Sequence, residues 1–300
     1  MKVTVTGATG LIGSKLVAAL TARGDAVTVL SRSPERAQSA LGVEAQAWDL
    51  LAQPAPLAAL EGRDAVVHLA GEPVAQRWSD RVKQAILASR ETGTRNLVAG
   101  IAQASAAPGV LVSSSAVGYY GKHGDERIDE SAGPGDDFLA RVCVAWEREA
   151  LAARDLGLRV VTIRTGVVLD AGGGALKTML PPFRAGIGGP VAGGNQYIPW
   201  IHVDDIVGLY LAALDDASWS GAVNGSAPEP VTNRDFSRAL GRALHRPAIA
   251  PVPALALRAL YGEMAEIVTE GQRAVPAAAL AAGHAFRHPE LDEALASALG

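Results

Sequence analysis

The sequence predicts an α/β fold, a doubly wound parallel sheet followed by a small, mostly helical C-terminal region. Apolar, β-branched runs alternate with helical patterns through residues 1–165. Strands that are apolar along their whole length are buried on both faces, as in a parallel sheet covered by helices. Right-handed crossovers then produce the doubly wound arrangement, which binds its ligands beyond the carboxyl ends of the strands.

The pattern of the first half is regular enough to assign boundaries. The runs with the composition of buried strands are Lys2–Thr6, Ala26–Ser31, Val43–Trp48, Ala65–Ala70, Gly109–Ser114 and Arg159–Arg164. Helical spacing is found at Leu11–Arg23, Asp80–Ala107 and Asp137–Leu156. We therefore expect residues 1–165 to form the sheet domain, with a later strand and helices of it recurring up to about residue 245.

Beyond Arg164 the pattern changes. A stretch rich in Gly and Pro leads into "IPWIHVDDIVGLYLAALD", which we interpret as a strand end, an N-cap at Asp204 and an apolar helix. We assign residues 166–247 to segments on the ligand side of the sheet. Residues 248–300 are predicted to be a helical domain that packs beside the sheet as a substrate or cap region.

The composition excludes several classes of protein. The net charge of −4 provides no basic surface for nucleic acid or an anionic membrane. No apolar run reaches the roughly 18 to 20 residues of a membrane span, and the start lacks the pattern of a signal peptide. One Cys excludes an internal disulfide and fits a reducing compartment. We expect a cytoplasmic protein, monomeric or homodimeric, whose partner is a small molecule.

A glycine-rich loop follows the first strand. In "VTVTGATGLIG", Gly7, Gly10 and Gly13 come three residues apart, after a strand and at the start of a helix. Gly7 permits the tight turn, Gly10 lets the backbone approach a pyrophosphate, and Gly13 lets the helix pack close to the sheet. The helix start attracts phosphate through its free N–H groups. The residues expected to contact a dinucleotide are Gly7, Thr9, Gly10, Leu11, Ile12 and Gly13. The alternative is a plain glycine-rich turn.

The residues that follow the next strands indicate which dinucleotide is bound. The second strand ends in Ser31 and Arg32, where an NAD-preferring site usually has an acidic residue. A hydroxyl and a guanidinium suit a 2′-phosphate, so we predict NADP(H). An Arg that is only solvated is the alternative.

Residues after the third and fourth strands extend this prediction. Asp49 and Leu50 are placed to meet the adenine, and small residues after the fourth strand let the dinucleotide lie close to the backbone. These are Leu69, Ala70 and Gly71. Each group by itself is equally compatible with a turn, and their position after successive strands supports the cofactor site.

Several motifs resemble the extended short-chain dehydrogenase/reductase superfamily, which includes nucleotide-sugar epimerases and dehydratases. They are "TGATGLIG", "HLAGEP", "GTRNLVAGI", "VLVSSSAVGYYG" and "IPWIHVDDIV". The motif "ILASRETGTRNL", the Gly-rich segment and the C-terminal tail are similar to an atypical branch, the "epimerase family protein" branch with its C-terminal domain of unassigned function. The resemblance covers essentially the whole chain. It implies a Rossmann fold and NADP(H) binding but no particular substrate, and it adds Arg90 and Val168 to the cofactor contacts. For Arg90 the alternative is an exposed helical side chain.

The catalytic pair that most relatives use is missing. The resemblance implies a Ser or Thr, a Tyr and, four residues later, a Lys that lowers the pKa of the phenol. Ser115 fits the Ser position, but Leu139 and Cys143 stand at the Tyr and Lys positions. A Cys143 thiolate is one alternative, although a buried Cys without a cationic partner is usually a small apolar residue.

Other side chains could handle the proton. Tyr119 and Tyr120 follow the fifth strand with Lys122 near them, and Glu72 follows the fourth. The predicted catalytic residues are therefore Ser115, Tyr120, Tyr119 and Glu72. Alternatively, the aromatic loop only shapes the substrate cleft, and Glu72 only caps a turn. Two functions fit: hydride transfer at a hydroxyl or carbonyl carbon of a polar substrate such as a nucleotide-sugar, or a non-catalytic module that senses NADPH.

The substrate side is predicted to involve the segment after the Gly-rich stretch. Amides and aromatic planes there suit a polar ligand with a flat part. These residues are Asn195, Gln196, Tyr197 and Trp200. Lys177 and Arg184 either pair with an anionic substrate or are solvated. His284 and His288 are one helical turn apart but have no third ligand nearby in the sequence, so we expect no metal site.

Overall fold

The structure, a computed structural model, describes residues 1–300 and consists mainly of short strands and helices in alternation. The strands are β1 (Lys2–Thr6), β2 (Ala26–Ser31), β3 (Glu44–Ala47), β4 (Ala65–His68), β5 (Val110–Ala116), β6 (Arg127–Ile128), β7 (Arg159–Thr165), β8 (Val167–Leu169), β9 (Tyr197–Ile198), β10 (Trp200–His202), β11 (Gly221–Gly225), β12 (Val231–Thr232) and β13 (Arg273–Ala274). The α-helices are α1 (Leu11–Ala22), α2 (Pro34–Leu41), α3 (Asp80–Ile101), α4 (Phe138–Leu151), α5 (Gly174–Arg184), α6 (Val203–Asp215), α7 (Asn233–Ala243), α8 (Ala254–Tyr261), α9 (Glu266–Thr269), α10 (Ala277–Ala281) and α11 (Leu291–Leu299).

Seven of the strands form one parallel sheet in the order β11–β7–β5–β4–β1–β2–β3. The first strand lies inside the sheet, and the chain extends from it first toward β3 and then, after returning to β4, toward β11. This reversal is the topology of the doubly wound Rossmann fold, which is therefore confirmed. The carboxyl ends of β1 and β4 border the crevice where the strand order reverses.

Helices cover both faces of the sheet. On one face α1 packs on β1, where Val3 and Val5 are fully buried against Leu16, and α6 packs beside α1 on β5 and β7. On the other face Leu97 of α3 packs with Leu111 of β5 in a second core. Burial on both sides accounts for the unbroken apolar runs in the sequence, because no face of these strands meets water.

The predicted strands are all present, and their ends differ from the prediction by at most two residues. The helix predicted at Asp80–Ala107 ends at Ile101, and the one predicted at Asp137–Leu156 becomes α4 followed by a 3₁₀ turn at Ala152–Leu156. The predicted N-cap at Asp204 is wrong. His202 caps α6 by accepting a hydrogen bond at Nδ1 from the Asp204 N–H, 3.1 Å away, and Asp204 lies in the first helical turn.

The C-terminal region is largely helical and is fastened to the carboxyl end of the sheet. Strand β13 pairs in parallel with β6, and the Asn224 amide on β11 donates to the Val275 carbonyl at 2.9 Å. The Ser226 hydroxyl donates to the Ala274 carbonyl at 2.9 Å. These contacts hold residues 266–275 over the ligand side of the sheet. None of the helices combines the length and the apolarity needed to cross a membrane.

Candidate functional site

The glycine loop between β1 and α1 is a tight cradle. Gly7 has a φ of 67°, and a Cβ there would lie 2.6 Å from the Leu69 carbonyl carbon. A Cβ at Gly13 would overlap the Gly7 carbonyl oxygen. Thr9 and Gly10 are exposed, and α1 begins without a side-chain cap. The first N–H groups of α1 are thus left for an external acceptor, and the loop fits the pyrophosphate of a dinucleotide.

The end of β2 presents the predicted phosphate ligands. Arg32 is exposed, and the Ser31 hydroxyl accepts a hydrogen bond from the Ser33 N–H at 3.1 Å. That bond uses an oxygen lone pair and leaves the hydroxyl hydrogen available. A free guanidinium and a hydroxyl donor together can bind a 2′-phosphate.

Replacing Arg32 with Ala is expected to weaken NADPH binding about 10- to 100-fold, because charge-assisted hydrogen bonds contribute about 1.5–3 kcal/mol each. NADH affinity should change little, since NADH lacks the 2′-phosphate. Calorimetric titration of both cofactors measures the difference. Arg36→Ala, at an exposed position of α2 close by, is the matched control. Equal losses for the two cofactors would contradict the assignment of Arg32.

The remaining predicted cofactor residues lie along the same edge of the sheet. Asp49 is exposed after β3, and Leu50 packs against Gly93 of α3. The Ala70 N–H donates to the Thr6 hydroxyl at 3.2 Å, which positions the backbone after β4 beside the glycine loop. The structure therefore brings together the residues after β1, β2, β3 and β4. The partly buried Leu69 lies in this group, as does the exposed Gly71.

Arg90 of α3 lies against this edge and is not an exposed helical residue. Its guanidinium donates to the carbonyl oxygens of Glu72 at 3.0 Å and Ile86 at 3.2 Å, and it lies 4.9 Å from the centre of the Trp146 ring. A Cβ at Gly71 would lie 3.1 Å from the Arg90 Cζ. Burial lowers the pKa of Arg90 from its ordinary value. Its charge is thus held in place beside the path predicted for the cofactor.

Val168, predicted as a cofactor contact, lies in the core. It is 9% exposed in the short strand β8 and packs in the same core as Ile201 on the neighbouring strand β10. Its neighbour Val167 lines a cavity beyond the ends of β5 and β7. Alternation along the strand therefore assigns the cavity-facing side chain to position 167.

A cavity of about 350 Å³ lies beyond the ends of β5 and β7. One side is formed by Arg90 and α4, and the other by the segment from Glu266 to Gln272 of the C-terminal region. Seventeen of its 31 lining residues are hydrophobic, so the cavity is mainly apolar with a few polar groups. The sequence predicted a C-terminal substrate or cap region but not which of its residues form this wall. The tail's resemblance to a known domain implied no particular contacts.

Ser115 and Tyr120 belong to a buried polar network and do not line this cavity. The Ser115 hydroxyl donates to Glu147 at 2.6 Å, and Arg164 forms a two-point ion pair with the same carboxylate at 2.8 and 2.9 Å. Arg164 also donates to the Tyr120 hydroxyl at 3.0 Å, which in turn donates to Asn224 at 2.8 Å. Burial raises the pKa of the Tyr120 phenol. The structure thus corrects the prediction that these hydroxyls face the substrate.

Arg164 stays charged in this network. Burial opposes its charge, but the hydrogen bonds and the charge of Glu147 raise the pKa of the guanidinium above its ordinary value. Both side chains are less than a tenth exposed. The network connects β5, α4, β7 and β11 beneath the cavity floor, which gives it a structural role.

Tyr119 and Glu72 do not line the cavity either. The Tyr119 ring stacks on the Arg164 guanidinium, with Cζ 3.5 Å from the ring centre. The Glu72 carboxylate accepts a hydrogen bond from Gln76 at 3.1 Å. None of the four predicted catalytic residues is therefore among those that form the cavity wall.

Leu139 and Cys143, at the positions of the missing Tyr and Lys, do line the cavity. Burial raises the pKa of the Cys143 thiol to about 12, and the Glu147 carboxylate adds to the effect. At neutral pH the side chain is a thiol and not a thiolate. A nucleophilic or proton-accepting Cys143 is thus disfavoured.

The predicted substrate-side residues divide into two groups. Gln196 and Tyr197 line the cavity, whereas Asn195 is exposed outside it. Trp200 is 1% exposed in the core, with its indole N–H donating to the Glu229 carbonyl at 3.1 Å. Lys177 and Arg184 are exposed and do not line the cavity. Trp78 and Trp146, which were not predicted from the sequence as site residues, are part of the cavity wall.

A buried histidine sits behind the glycine loop. His68 at the end of β4 contacts the Thr6 hydroxyl through Nδ1 at 2.7 Å and the Thr94 hydroxyl through Nε2 at 3.0 Å. Burial lowers the pKa of His68 to about 3, and the nearby charge of Arg90 acts in the same direction. The neutral ring therefore joins β1, β4 and α3 under the cofactor edge.

His68 should make the protein sensitive to acid. Its pKa in the unfolded chain is about 6.5, so below that pH the unfolded state takes up a proton that the native state refuses until about pH 3. Stability is thus lost as the pH falls, by up to about 1.4 kcal/mol per pH unit. Urea unfolding at pH 7 and pH 5 measures this loss. His68→Gln should reduce this loss of stability by the contribution of one proton, about 1.4 kcal/mol per pH unit. His245→Asn, at an exposed position, should leave the loss unchanged. An unchanged pH dependence in His68→Gln would contradict the assignment.

Another histidine cluster lies away from the cavity. The sequence offered His288 no third ligand, but the fold brings it to His202 and Asp204, with candidate ligand atoms within 4.8 Å of one another. The two imidazole rings are in contact, with centroids 3.9 Å apart and their planes tilted by 47°. His202 uses Nδ1 to cap α6, and His288 Nδ1 contacts Glu293 at 3.1 Å. These contacts join the C-terminal region to α6.

Comparisons with known proteins agree with this arrangement. Residues 3–224 match the NAD dependent epimerase/dehydratase family, and residues 252–298 match a domain of unknown function, DUF1731. A chloroplastic homologue of epimerase family protein SDR39U1 from Arabidopsis thaliana is 43% identical over 298 residues, covering 98% of this chain and 86% of that protein.

Two solved structures are similar along the whole chain. Human epimerase family protein SDR39U1, crystallised with NADPH, has a TM-score of 0.89 and 37% identity, with all of both chains covered. A nucleoside-diphosphate sugar epimerase from Corynebacterium glutamicum has a TM-score of 0.79 and 36% identity, covering all of this chain and 58% of that one. The predicted resemblance to the "epimerase family protein" branch is confirmed.

Proposed function

Because the chain belongs to the NAD-dependent epimerase/dehydratase family, we propose that it binds NADP(H) and catalyses hydride transfer at a hydroxyl or carbonyl carbon of a small molecule. The observation that carries this proposal is the position of the cavity, which opens beside Arg90 on the edge that holds the glycine loop and Arg32. The human relative crystallised with NADPH supports the choice of cofactor. When bound, NADP(H) supplies or accepts the hydride.

Different residues along this edge would bind the cofactor and exclude water. The N–H groups at the start of α1 would bind the pyrophosphate, and Arg32 with Ser31 would bind the 2′-phosphate. Leu139, Cys143 and Trp146 would exclude water from the reacting centre.

Tyr197 is the side chain we propose for proton transfer. Only two cavity-lining residues carry a hydroxyl, Thr165 and Tyr197. Thr165 contacts the Ile163 carbonyl of its own strand at 3.4 Å. The Tyr197 ring lies 5.0 Å from the Arg273 guanidinium, a distance at which the cation and the aromatic ring attract each other. Carbonyl reduction needs one proton in addition to the hydride, and the phenol can donate it.

Replacing Tyr197 with Phe is expected to lower substrate-dependent NADPH oxidation about 10²- to 10⁴-fold, which is the usual contribution of general acid–base catalysis. NADPH binding should be retained. Tyr119→Phe is the matched control, because its ring stacks outside the cavity. Turnover on a panel of aldehydes, ketones and nucleotide-sugars that survives Tyr197→Phe would remove Tyr197 from this role.

A second candidate function is a non-catalytic NADPH-binding module, which the missing Tyr and Lys favour. The wall segment Glu266–Gln272 is held to the rest of the site partly by the Lys122–Glu270 ion pair at 3.2 Å, between side chains that are both partly exposed. In this second function, NADPH binding beside the segment would fix the position of the C-terminal region, so that a partner could bind it. No turnover on any substrate, together with NADPH protection of residues 248–275 from proteolysis, would favour this function.

For either function, we propose that the protein is located in the cytoplasm, where a free Cys143 is stable.

A further inference from the structure

The chemistry of the cavity wall bears on which molecules it can accept. We infer that the molecule bound beside the cofactor is small, uncharged and largely apolar, and is not a nucleoside diphosphate or its sugar ester. The inference rests on the proposed function. It takes the cavity near Cys143 as the substrate site and specifies the class of substrate.

The cations of the wall are already committed. Arg90 donates to two backbone carbonyls and lies on Trp146. Lys122 is paired with Glu270 at 3.2 Å. A diphosphate is usually bound by free Arg or Lys side chains or by a helix N-terminus that faces it, whereas both of these cations already have partners within the protein.

The anionic groups of the wall act against a negatively charged ligand. Asp137, Glu266 and Glu270 all line the cavity, so carboxylates outnumber the two cations. Asp137 is fixed there because it caps α4, accepting from the Ala140 N–H at 2.8 Å. A diphosphate in this space would face carboxylates in a partly desolvated setting, where like charges repel strongly.

Two of the amide side chains of the wall are already hydrogen-bonded to the backbone. The Gln196 amide donates to the carbonyls of Val191 and Val268 at 3.1 and 2.8 Å. The Asn233 amide oxygen accepts from the Val191 N–H at 2.7 Å. A hexose would leave several hydroxyls without partners in such a site, and each unpaired buried polar group costs about as much as a lost hydrogen bond.

The apolar part of the wall suits a flat hydrocarbon. Trp78 and Phe138 meet edge to face with ring centres 5.2 Å apart, and both line the cavity. Val142 and Met179 extend the apolar surface. Burial of a planar, uncharged molecule between such groups is favourable, and a single carbonyl could reach the Tyr197 hydroxyl.

Saturation-transfer NMR on the NADPH-loaded protein tests this inference with matched probes. We expect signal transfer to 2-naphthaldehyde and to 2-acetylnaphthalene, and at least 10-fold weaker binding of 6-formyl-2-naphthoate and of UDP-glucose. Ala175→Trp, which fills the cavity from an exposed position on α5, should abolish binding of the neutral probes. Thr178→Trp, exposed on the same helix outside the cavity, should not.

A charge variant tests the reason for the selectivity. Glu270→Gln removes a carboxylate and frees Lys122, so the affinity for 6-formyl-2-naphthoate should rise at least 5-fold. The inference is overturned if the neutral probes do not bind, if their binding survives Ala175→Trp, or if either anion binds the unaltered protein as tightly. Calorimetry with NADPH alone is carried out first. If NADPH does not bind, the proposed function is wrong. The probe titrations on the cofactor-free protein then still test the cavity by itself.

Discussion

Replacing Arg164 with Met is expected to destabilise the protein by about 3–5 kcal/mol, the usual effect of removing one partner of a buried ion pair. The variant leaves the Glu147 carboxylate, which receives two hydrogen bonds from Arg164, buried with only the Ser115 hydroxyl as a partner. It also removes a hydrogen bond to Tyr120 and the surface on which Tyr119 stacks. Urea unfolding followed by circular dichroism measures the loss.

Arg242→Met is the control for this experiment. Arg242 forms a comparable ion pair with Asp292 at 2.7 Å, but both side chains are more than half exposed. Exposed pairs contribute about 0–1 kcal/mol, so this variant should unfold almost like the unaltered protein. The double variant Glu147→Leu with Arg164→Met should recover part of the stability, because no charge is then left buried. A loss below about 1 kcal/mol in Arg164→Met would contradict the structural role of the network.

Replacing Gly7 with Ala is expected to reduce NADPH affinity by at least about 100-fold, equivalent to about 2.7 kcal/mol. The new Cβ would lie 2.6 Å from the Leu69 carbonyl carbon and 2.7 Å from the Ala70 nitrogen, so the loop or the residues after β4 must move. Both segments belong to the proposed cofactor edge. Calorimetric titration with NADPH gives the affinity of each variant.

Gly24→Ala separates this effect from simple backbone strain. Gly24 has a φ of 87°, so Ala is disfavoured there as at Gly7, but a Cβ would meet no atom within 4 Å. Both variants should therefore lose about 1 kcal/mol of stability from the left-handed conformation, and only Gly7→Ala should lose NADPH affinity. Normal affinity in a folded Gly7→Ala protein would show that the loop does not hold the cofactor.

The cofactor edge could be predicted because its signals are local. The glycine spacing after β1 and the Ser31–Arg32 pair after β2 each lie within a few residues of a strand that periodicity identifies. In a parallel sheet, the carboxyl ends of neighbouring strands meet at one edge, so these local signals place the residues together. The structure finds them along that edge, with Arg90 added from α3.

The catalytic side could not be predicted in the same way, because it depends on contacts between distant segments. Tyr120 is in the right part of the sequence, but the 3₁₀ turn at Val117–Tyr120 brings its hydroxyl to Asn224, 104 residues away. Ser115 lies at the expected position on β5, yet its hydroxyl donates to Glu147, which is in turn paired with Arg164. Nothing in the local sequence indicated that these three would form one network.

The cavity wall also depends on contacts between distant segments, which the local sequence does not indicate. Tyr197 was predicted on the substrate side, and the neighbouring Trp200 was predicted with it. They separate because Trp200 lies on β10, where its ring packs in a core with Phe183 of α5. The segment Glu266–Gln272 lacks a recognisable binding motif, and contacts with distant parts of the chain, such as the pairing of β13 with β6, bring it to the cavity.

The most direct test of the account is calorimetric titration of the purified protein with NADPH and NADH. We expect one NADPH site per chain, weaker binding of NADH, and loss of that preference in Arg32→Ala. We also expect that Gly7→Ala binds neither cofactor measurably while Gly24→Ala binds NADPH normally. Folded protein that releases no heat with NADPH or NADP⁺, and is not stabilised by either in thermal unfolding, would contradict the cofactor site and the function built on it.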